Sequence, residues 1–368
     1  MSAEPRHLFM TADAVGGVWT YALDLAGELG RTGVRTTLAV LGPPPSREQR
    51  REAAGIGVRV FETDLELDWL AENDEQLDRA GKRLALMAAE SGADLVHLNS
   101  PALAVGAGFT VPILGACHSC LATWWDAVRG GRLPRDFAWK TERLAKGYAA
   151  CDALIAPSYA FMQATAARYG LAPRVVRNGR RPGGRRHDPA LKRPFVFSAG
   201  RLWDDGKSAA FLDAVAGRTR WPVYAAGPLV HPDGSSRTLA HAVPVGALPA
   251  PQVTDWLSHA AVFASFSAYE PFGLAVLEAA QAGCALVLSD IPTHRELWEG
   301  AAMFVEPGDE AAAADVLDRL VGEPELCARL GALALERAAA FSAEAMAAET
   351  LAIYRELLAV RAFTGAAA

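Results

Sequence analysis

Four charged residues in the second half of the chain have the types and spacing to serve a phosphorylated sugar: Arg201, Lys207, Glu270 and Glu278. Arg201 follows the strand-like run Phe195–Ala199, and Lys207 lies just beyond it. A guanidinium offers a planar fork to phosphate oxygens and an ammonium offers a compact charge. Two such cations suit a diphosphate leaving group without a metal. They equally suit a plain surface, paired with Asp204 and Asp205. The run Glu270–Glu278 reads EPFGLAVLE. Pro271 and Gly273 mark a loop entering a helix, whose first amides, on Gly273, Leu274 and Ala275, form a second potential anion site. Glu270 then stands in the loop, and Glu278 about two turns into the helix. A carboxylate accepts hydrogen bonds from the vicinal diol of a sugar or a ribose. The plainer reading is a helix with one capping acid and one solvated glutamate.

The first half carries a sparser set. Gly16 and Gly17 follow the first strand-like run and open a helix, where amides and the helix dipole favour an anion. The local sequence GGVWTY is not the GxGxxG of a dinucleotide site, which also wants an acid about 20 residues on, so a dehydrogenase is disfavoured. An ordinary strand–helix turn is the alternative. His118 sits in Cys117-His-Ser-Cys120. A Cys-x-x-Cys can be half a zinc site or a redox pair, but no second pair stands nearby. Trp124, Trp125 and Asp126 follow closely, offering aromatic faces and a carboxylate to a sugar acceptor, or a packed loop. Asp13, just before the glycine turn, is a further acceptor-side candidate. His7, His97 and His294 have no comparable context.

The elements that must position these residues alternate. Strand candidates at His7–Thr11, Arg35–Leu41, Val58–Glu62, Asp94–Leu98, Ile113–Ala116, Ala153–Ala156 and Arg174–Arg177 are separated by helical patterns such as Val18–Gly30, Glu75–Glu90 and Tyr159–Tyr169. That alternation predicts a parallel sheet with helices on both faces. The stretch Gly179–Arg193 is rich in Gly, Pro and Arg and has no apolar period. After it the pattern resumes: strands at Phe195–Ala199, Val223–Ala226, His241–Val245, Ala261–Ser265, Ala285–Ser289 and Met303–Glu306, and helices near Ser208–Ala216, Pro251–Ser258, Gly273–Ala282 and Glu310–Val321. Pro324–Val360 is helical with a break near Ser342. The expectation is an α/β protein of two doubly wound domains, residues 1–180 and 195–343, joined by a linker at 181–194 and facing a central cleft with the carboxyl ends of their strands.

The bulk figures agree. A length of 368 residues with 51% hydrophobic content suits two cores. A net charge of −6 argues against a general nucleic-acid binder. No run reaches about 18 apolar residues, and no signal peptide is recognisable, so neither a span nor export is expected. Five scattered cysteines fit a reducing compartment, with the cytoplasm as the default. The run Arg174–Arg193 holds seven arginines and one lysine, a solvated linker or a peripheral contact for anionic lipid headgroups.

At this density of features the sequence resembles the family 4 retaining glycosyltransferases of the GT-B fold. GRLWDDGK followed by EPFGLAVLEA carries most of the likeness. VPVGALPAPQVTDWLSHAAVFASFS and GCALVLSDIPTHRELWEGAAMFVEPGD extend it, and GGVWTY, ACHS and APS…VVRNG recur in order in the first half. The likeness spans about residues 7 to 360 and is more specific in the second half. It implies two Rossmann-like domains and a metal-independent transfer of a hexose, with no cofactor, from a nucleotide-diphosphate sugar to an acceptor hydroxyl. It implies that Arg201 and Lys207 hold the diphosphate and Glu278 the ribose. Glu270 would hold the transferred sugar, with amides of Gly273, Leu274 and Ala275 adding to both. Gly246 would meet the base, Gly16 and Gly17 the phosphate, and His118 the sugar near the reacting centre. The last helix, 344–361, would pack back on the first domain. A nucleotide-sugar epimerase of the same architecture and a non-catalytic nucleotide-sugar-binding subunit remain as alternatives. Two departures stand out: Ser208 follows Lys207 where the family usually has Gly, and Arg180-Arg181 follow Asn178-Gly179 in place of an aliphatic–acidic pair.

Overall fold

The computed structural model describes residues 4–183, 188–231 and 234–365. They form two compact units. The first runs through β1 (His7–Asp13), α1 (Gly17–Arg31), β2 (Arg35–Leu41), α2 (Arg47–Gly55), β3 (Arg59–Glu62), α3 (Asp74–Ser91), β4 (Leu95–Leu98), β5 (Ile113–Ala116), α4 (Leu121–Val128), α5 (Arg135–Ala150), β6 (Ala153–Ala156), α6 (Tyr159–Tyr169) and β7 (Arg174–Val175). The second runs through β8 (Arg193–Ala199), α7 (Ala209–Ala216), β9 (Val223–Ala226), β10 (Val243–Gly246), α8 (Ala250–His259), β11 (Ala260–Ser265), α9 (Leu274–Gln281), β12 (Ala285–Ser289), α10 (Pro292–Trp298), β13 (Ala302–Val305), α11 (Glu310–Gly322) and α12 (Pro324–Ala338). The final helix, α13 (Ala343–Gly365), belongs to the first unit, which the chain leaves after Gly179 and re-enters at Ala343.

Both sheets are wholly parallel. The first has the order β3-β2-β1-β4-β5-β6-β7 and the second β10-β9-β8-β11-β12-β13. Side chains of one strand alternate between two cores. In β1, Leu8, Met10 and Ala12 join one apolar cluster and Phe9 the other. In β12, Ala285 and Val287 face one way and Leu286 and Leu288 the other. A strand buried on both faces reads as a continuous apolar run, which is why these segments stand out in the sequence. Helix ends follow their caps. Asn73 accepts from the Gln76 amide at 3.1 Å to start α3, and left-handed Gly92 ends it. Met346, Ala347, Leu351, Ile353 and Tyr354 of α13 share a core with β1 and α1, and the Tyr354 hydroxyl bonds Nδ1 of His97 on β4 at 2.6 Å.

Some expectations shift. The strand expected at His241–Val245 starts two residues later, with a register break between Pro244 and Gly246, because proline cannot donate to the ladder. The strand expected at Arg174–Arg177 closes at Val175. Helix α2 has no apolar period to betray it, since Ala53 is its one buried residue. Helix α5 buries Arg143, which the carboxylates of Asp74 and Asp78 and the Ala102 carbonyl hold in place. The arginine-rich run read as a linker and lipid contact falls partly on residues 184–187, outside the described residues. Strand β8 already begins at Arg193, inside the stretch expected as linker. No described helix is long and apolar enough to cross a membrane.

Candidate active site

Each sheet has one topological switch point, between β1 and β4 in the first unit and between β8 and β11 in the second. Loops leave neighbouring strands in opposite directions there and open a crevice beyond the strand ends. Gly16 and Gly17 follow β1 at the first, and Arg201, Lys207 and Glu270 follow β8 and β11 at the second; Gly246 ends the edge strand β10, and His118 follows β5.

In the second unit, Gly200 and Arg201 follow β8 directly, and Lys207 closes a short 3₁₀ turn, Asp205–Lys207. Asp204 caps that turn, accepting from the Gly206 amide at 2.9 Å. Its other oxygen takes the Arg201 guanidinium at 2.9 Å. Asp204 thus holds Arg201 as the plainer reading required. Lys207 instead ion-pairs with Glu270, the loop carboxylate after β11, both largely buried. Asp205 pairs with Arg237. The Gly206 carbonyl accepts from the amides of Ala268 and Tyr269 at 2.9 and 3.2 Å, tying the two loops across the switch point. Glu270, 63 residues beyond Lys207 in sequence, is therefore a neighbour of Arg201 and Lys207 in one crevice.

Helix α9 starts beside them. Gly273 is its N-cap at φ +92°, a conformation that favours glycine, and no side chain caps the helix. A Cβ at Gly273 would stand 3.3 Å from Cγ of Glu270, so the glycine also makes room for that carboxylate. The amides of Leu274 and Ala275 open the helix without a side-chain cap. Glu278 lies on the same helix and pairs with Nη2 of Arg180 at 3.0 Å. The unusual arginine after Asn178-Gly179 thus reaches the expected ribose-binding carboxylate. Gly246 ends β10 at φ +76°, and its carbonyl accepts from the Gly227 amide at 2.8 Å.

Two residues that the sequence did not single out belong to this crevice. Gly227 follows β9 at φ +135°, and a Cβ there would sit 1.7 Å from the Gly200 carbonyl oxygen. Only a glycine lets β9 pass so close to the loop that carries Arg201. The signal was present as a lone Gly-Pro after a strand, but such turns are common. His294 is wholly buried on α10. Its Nδ1 donates to the Ser289 carbonyl at 2.9 Å, leaving Nε2 without a partner among the described residues. Burial lowers its pKa, while Glu270 and Lys207 are close enough to act on its charge in opposite senses.

In the first unit, Asp13 closes the glycine turn: its Oδ1 accepts from the amides of Val15 and Gly16 at 2.9 and 3.1 Å. That gives Asp13 a structural task beside the acceptor role expected of it, and it engages the Gly16 amide expected to meet phosphate. Gly16 is the N-cap of α1, which has no side-chain cap, so the amides from Gly17 onward open that helix. His118 follows β5, half-buried, with Nε2 at 2.7 Å from Oδ1 of Asn99 at the end of β4. Tyr21 meets the ring edge-on at 4.5 Å between centroids. Enclosure lowers its pKa to about 4. His97, which is wholly buried, is lowered further, to about 3, by burial first and then by His118. Trp124, Trp125 and Asp126 stand on helix α4 rather than in a loop. Trp125 packs edge-on against Phe137 at 5.7 Å, and Asp126 lies 3.8 Å from Arg168. Cys117 and Cys120 are buried free thiols, and burial pushes the Cys117 pKa up. Among the described residues no group of three or more His, Cys, Asp or Glu is placed to hold a metal ion.

Residues 15–182 match the model of Glycosyltransferase Family 4, and residues 238–337 match that of Glycosyl transferases group 1. The chain belongs to the family 4-type glycosyltransferases of the GT-B fold. Both matched models are those of glycosyltransferases. No curated protein sequence matches the chain. Solved structures share the fold at low identity. The sucrose-phosphate synthase from Thermosynechococcus elongatus aligns at TM-score 0.75 and 18% identity, over 96% of this chain and 100% of its own. The Anabaena protein HepE in complex with UDP-glucose aligns at TM-score 0.72 and 16% identity, over 95% and 99%. The trehalose 6-phosphate synthase from Burkholderia multivorans aligns at TM-score 0.69 and 16% identity, over 99% of both chains. In this glycosyltransferase the two matched models fall one on each unit, and the second contains Glu270 and Glu278.

Proposed function

We propose that this glycosyltransferase moves a hexose from a nucleotide-diphosphate sugar to an acceptor hydroxyl with retention of anomeric configuration and without a metal. The observation that carries the reading is the convergence of Arg201, Lys207, Glu270 and the uncapped start of α9 at one switch point. Arg201 and Lys207 meet the diphosphate. Glu270, already bonded to Lys207, exchanges part of that pairing for sugar hydroxyls, and Glu278 receives the ribose. Gly246 offers backbone groups to the base.

As the bond between the anomeric carbon and the diphosphate oxygen breaks, negative charge grows on the leaving oxygen. The two cations and the amides of Leu274 and Ala275 stabilise it. The acceptor oxygen bonds to the anomeric carbon on the face the diphosphate leaves, and its proton passes to the departing phosphate oxygen. No nucleophilic carboxylate is required, in contrast to retaining glycosidases. HepE is known with UDP-glucose, which makes uridine nucleotides the first probes.

Calorimetric titration of UDP, GDP and ADP and of their hexose conjugates tests the site. One nucleotide series is expected to bind the wild-type protein. Lys207→Ala should weaken its diphosphate by roughly 10- to 10²-fold, the worth of a hydrogen bond to a charged group. Glu270→Gln should weaken the sugar conjugate but not the bare diphosphate. Equal binding by wild type and both variants would show that the site lies elsewhere.

A further inference from the structure

His118 has two ring nitrogens, and which of them carries the proton decides what the ring can offer a substrate. The bonds around Asn99 determine it. The Asn99 Nδ2 lies 2.6 Å from the Thr11 carbonyl oxygen, which can only accept. The amide orientation is therefore set by chemistry: the NH₂ faces Thr11 and Oδ1 faces His118. The Asn99 backbone amide also donates to Oγ1 of Thr11 at 3.0 Å, so Asn99 is tied to the end of β1 at two points. Its Oδ1 has no hydrogen to give, so Nε2 of His118, 2.7 Å away, must be the donor. Tyr21, packed edge-on, restrains the plane of the ring. Nδ1 has no partner among the described residues.

We propose that Asn99 is a positioning residue that fixes His118 as its Nε2–H tautomer, so that Nδ1 accepts a hydrogen bond from a hydroxyl of the sugar substrate. This rests on the reading that His118 meets substrate. It also names a preference. A lone pair at that place receives a neutral sugar hydroxyl and repels a carboxylate or phosphate, so hexoses are favoured there over uronic acids. Low basicity keeps the ring neutral at ordinary pH, with a pKa of about 4. The other titratable groups packed around it are His97 from β4 and Tyr21 from α1, with Tyr354 of α13 bonded to His97; among the described residues no carboxylate bonds to the ring.

The test needs no variant at first. Long-range ¹H–¹⁵N spectra of the intact protein labelled at histidine, assigned with His118→Ala, distinguish the two neutral tautomers. The Nε2–H form is expected, and the Nδ1–H form overturns the proposal. Asn99→Asp supplies the second reading. Its carboxylate still accepts from Nε2 but favours the charged ring. It should raise the pH at which His118 protonates by about one unit or more and carry the acid limb of kcat upward with it. A residue with a merely structural role would lower the rate at every pH and leave the limb in place, and that result also overturns the proposal. If the spectra show Nε2–H but His118→Ala transfers sugar at the wild-type rate, the positioning by Asn99 stands. What fails then is the reading that His118 meets substrate.

Discussion

Gly227→Ala offers a sharp test of how the fold holds Arg201. Gly227 has φ +135°, and an added Cβ would lie 1.7 Å from the Gly200 carbonyl oxygen and 2.9 Å from its carbon. A carbon and a carbonyl oxygen rest at about 3.3 Å or more, so the two loops must part by about 1.6 Å. Gly200 immediately precedes Arg201, and its own amide bonds the Ala226 carbonyl at 3.0 Å, so the displacement passes straight to the guanidinium. A misplacement of about 1 Å at a positioning group can cost about 10²-fold, or roughly 2.7 kcal/mol in the barrier. Gly308→Ala is the matched control: φ is +92°, but nothing stands within 4 Å of its Cβ. Both variants carry the backbone penalty of a side chain in an unfavourable region, and only one carries the clash. Donor turnover and diphosphate binding should fall about 10²-fold in Gly227→Ala and stay near wild type in Gly308→Ala. If both variants turn over donor equally and melt alike, the close approach of β9 does not position Arg201.

Other expected outcomes follow from single contacts. Ser208 occupies the left-handed region at φ +52°, where the family usually has glycine. Ser208→Gly should stabilise the unit by roughly 0.5–1 kcal/mol after allowing for glycine's greater freedom when unfolded, and raise its melting point roughly 1–3 °C; an unchanged or lower melting point contradicts the strain. His97 and His118 have folded pKa values of about 3 and about 4, below their ordinary 6.5. The unfolded chain therefore takes up protons first as pH falls, so stability is full above about pH 6.5 and declines below it toward the folded values. Denaturant titrations should show that decline beginning between pH 6.5 and 5, with a shallower slope in His118→Gln; a flat profile across this window would be inconsistent with buried neutral histidines. Arg180→Met unties Glu278 and should raise the donor KM roughly two- to fivefold with little change in kcat, whereas an unchanged KM would separate Glu278 from donor binding.

The sequence made the sheets legible because parallel strands buried on both faces read as unbroken apolar runs, as in Ala285–Ser289. It also made the charges of the second unit's crevice legible, because Arg201, Lys207 and Glu270 lie near glycines in the loops that follow β8 and β11. Their pairing was not legible. Asp204 and Asp205 are neighbours in sequence, yet Asp204 takes Arg201 and Asp205 takes Arg237, while Lys207 reaches Glu270. Such choices depend on how β8 and β11 meet across the switch point. Asn99, Thr11 and Gly227 escaped notice for the same reason: each is an ordinary residue type whose importance comes from one partner well removed along the chain. His294 was set aside because the groups that act on its charge, Glu270 and Lys207, lie on other loops. Helix α2 shows the reverse limit: with a single buried residue it gives no periodic signal, and its Ser46 capping box holds its start.

The most direct measurement of the central proposal is the anomeric configuration of the transferred hexose, read from the ¹H coupling constant of the anomeric proton in the first product formed from an α-configured nucleotide sugar, with Lys207→Ala run alongside. An α-linked product, formed at least 10-fold more slowly by the variant, is the outcome expected of retaining transfer at the Lys207–Glu270 crevice. A β-linked product, or an α-linked one formed at the wild-type rate by Lys207→Ala, contradicts it.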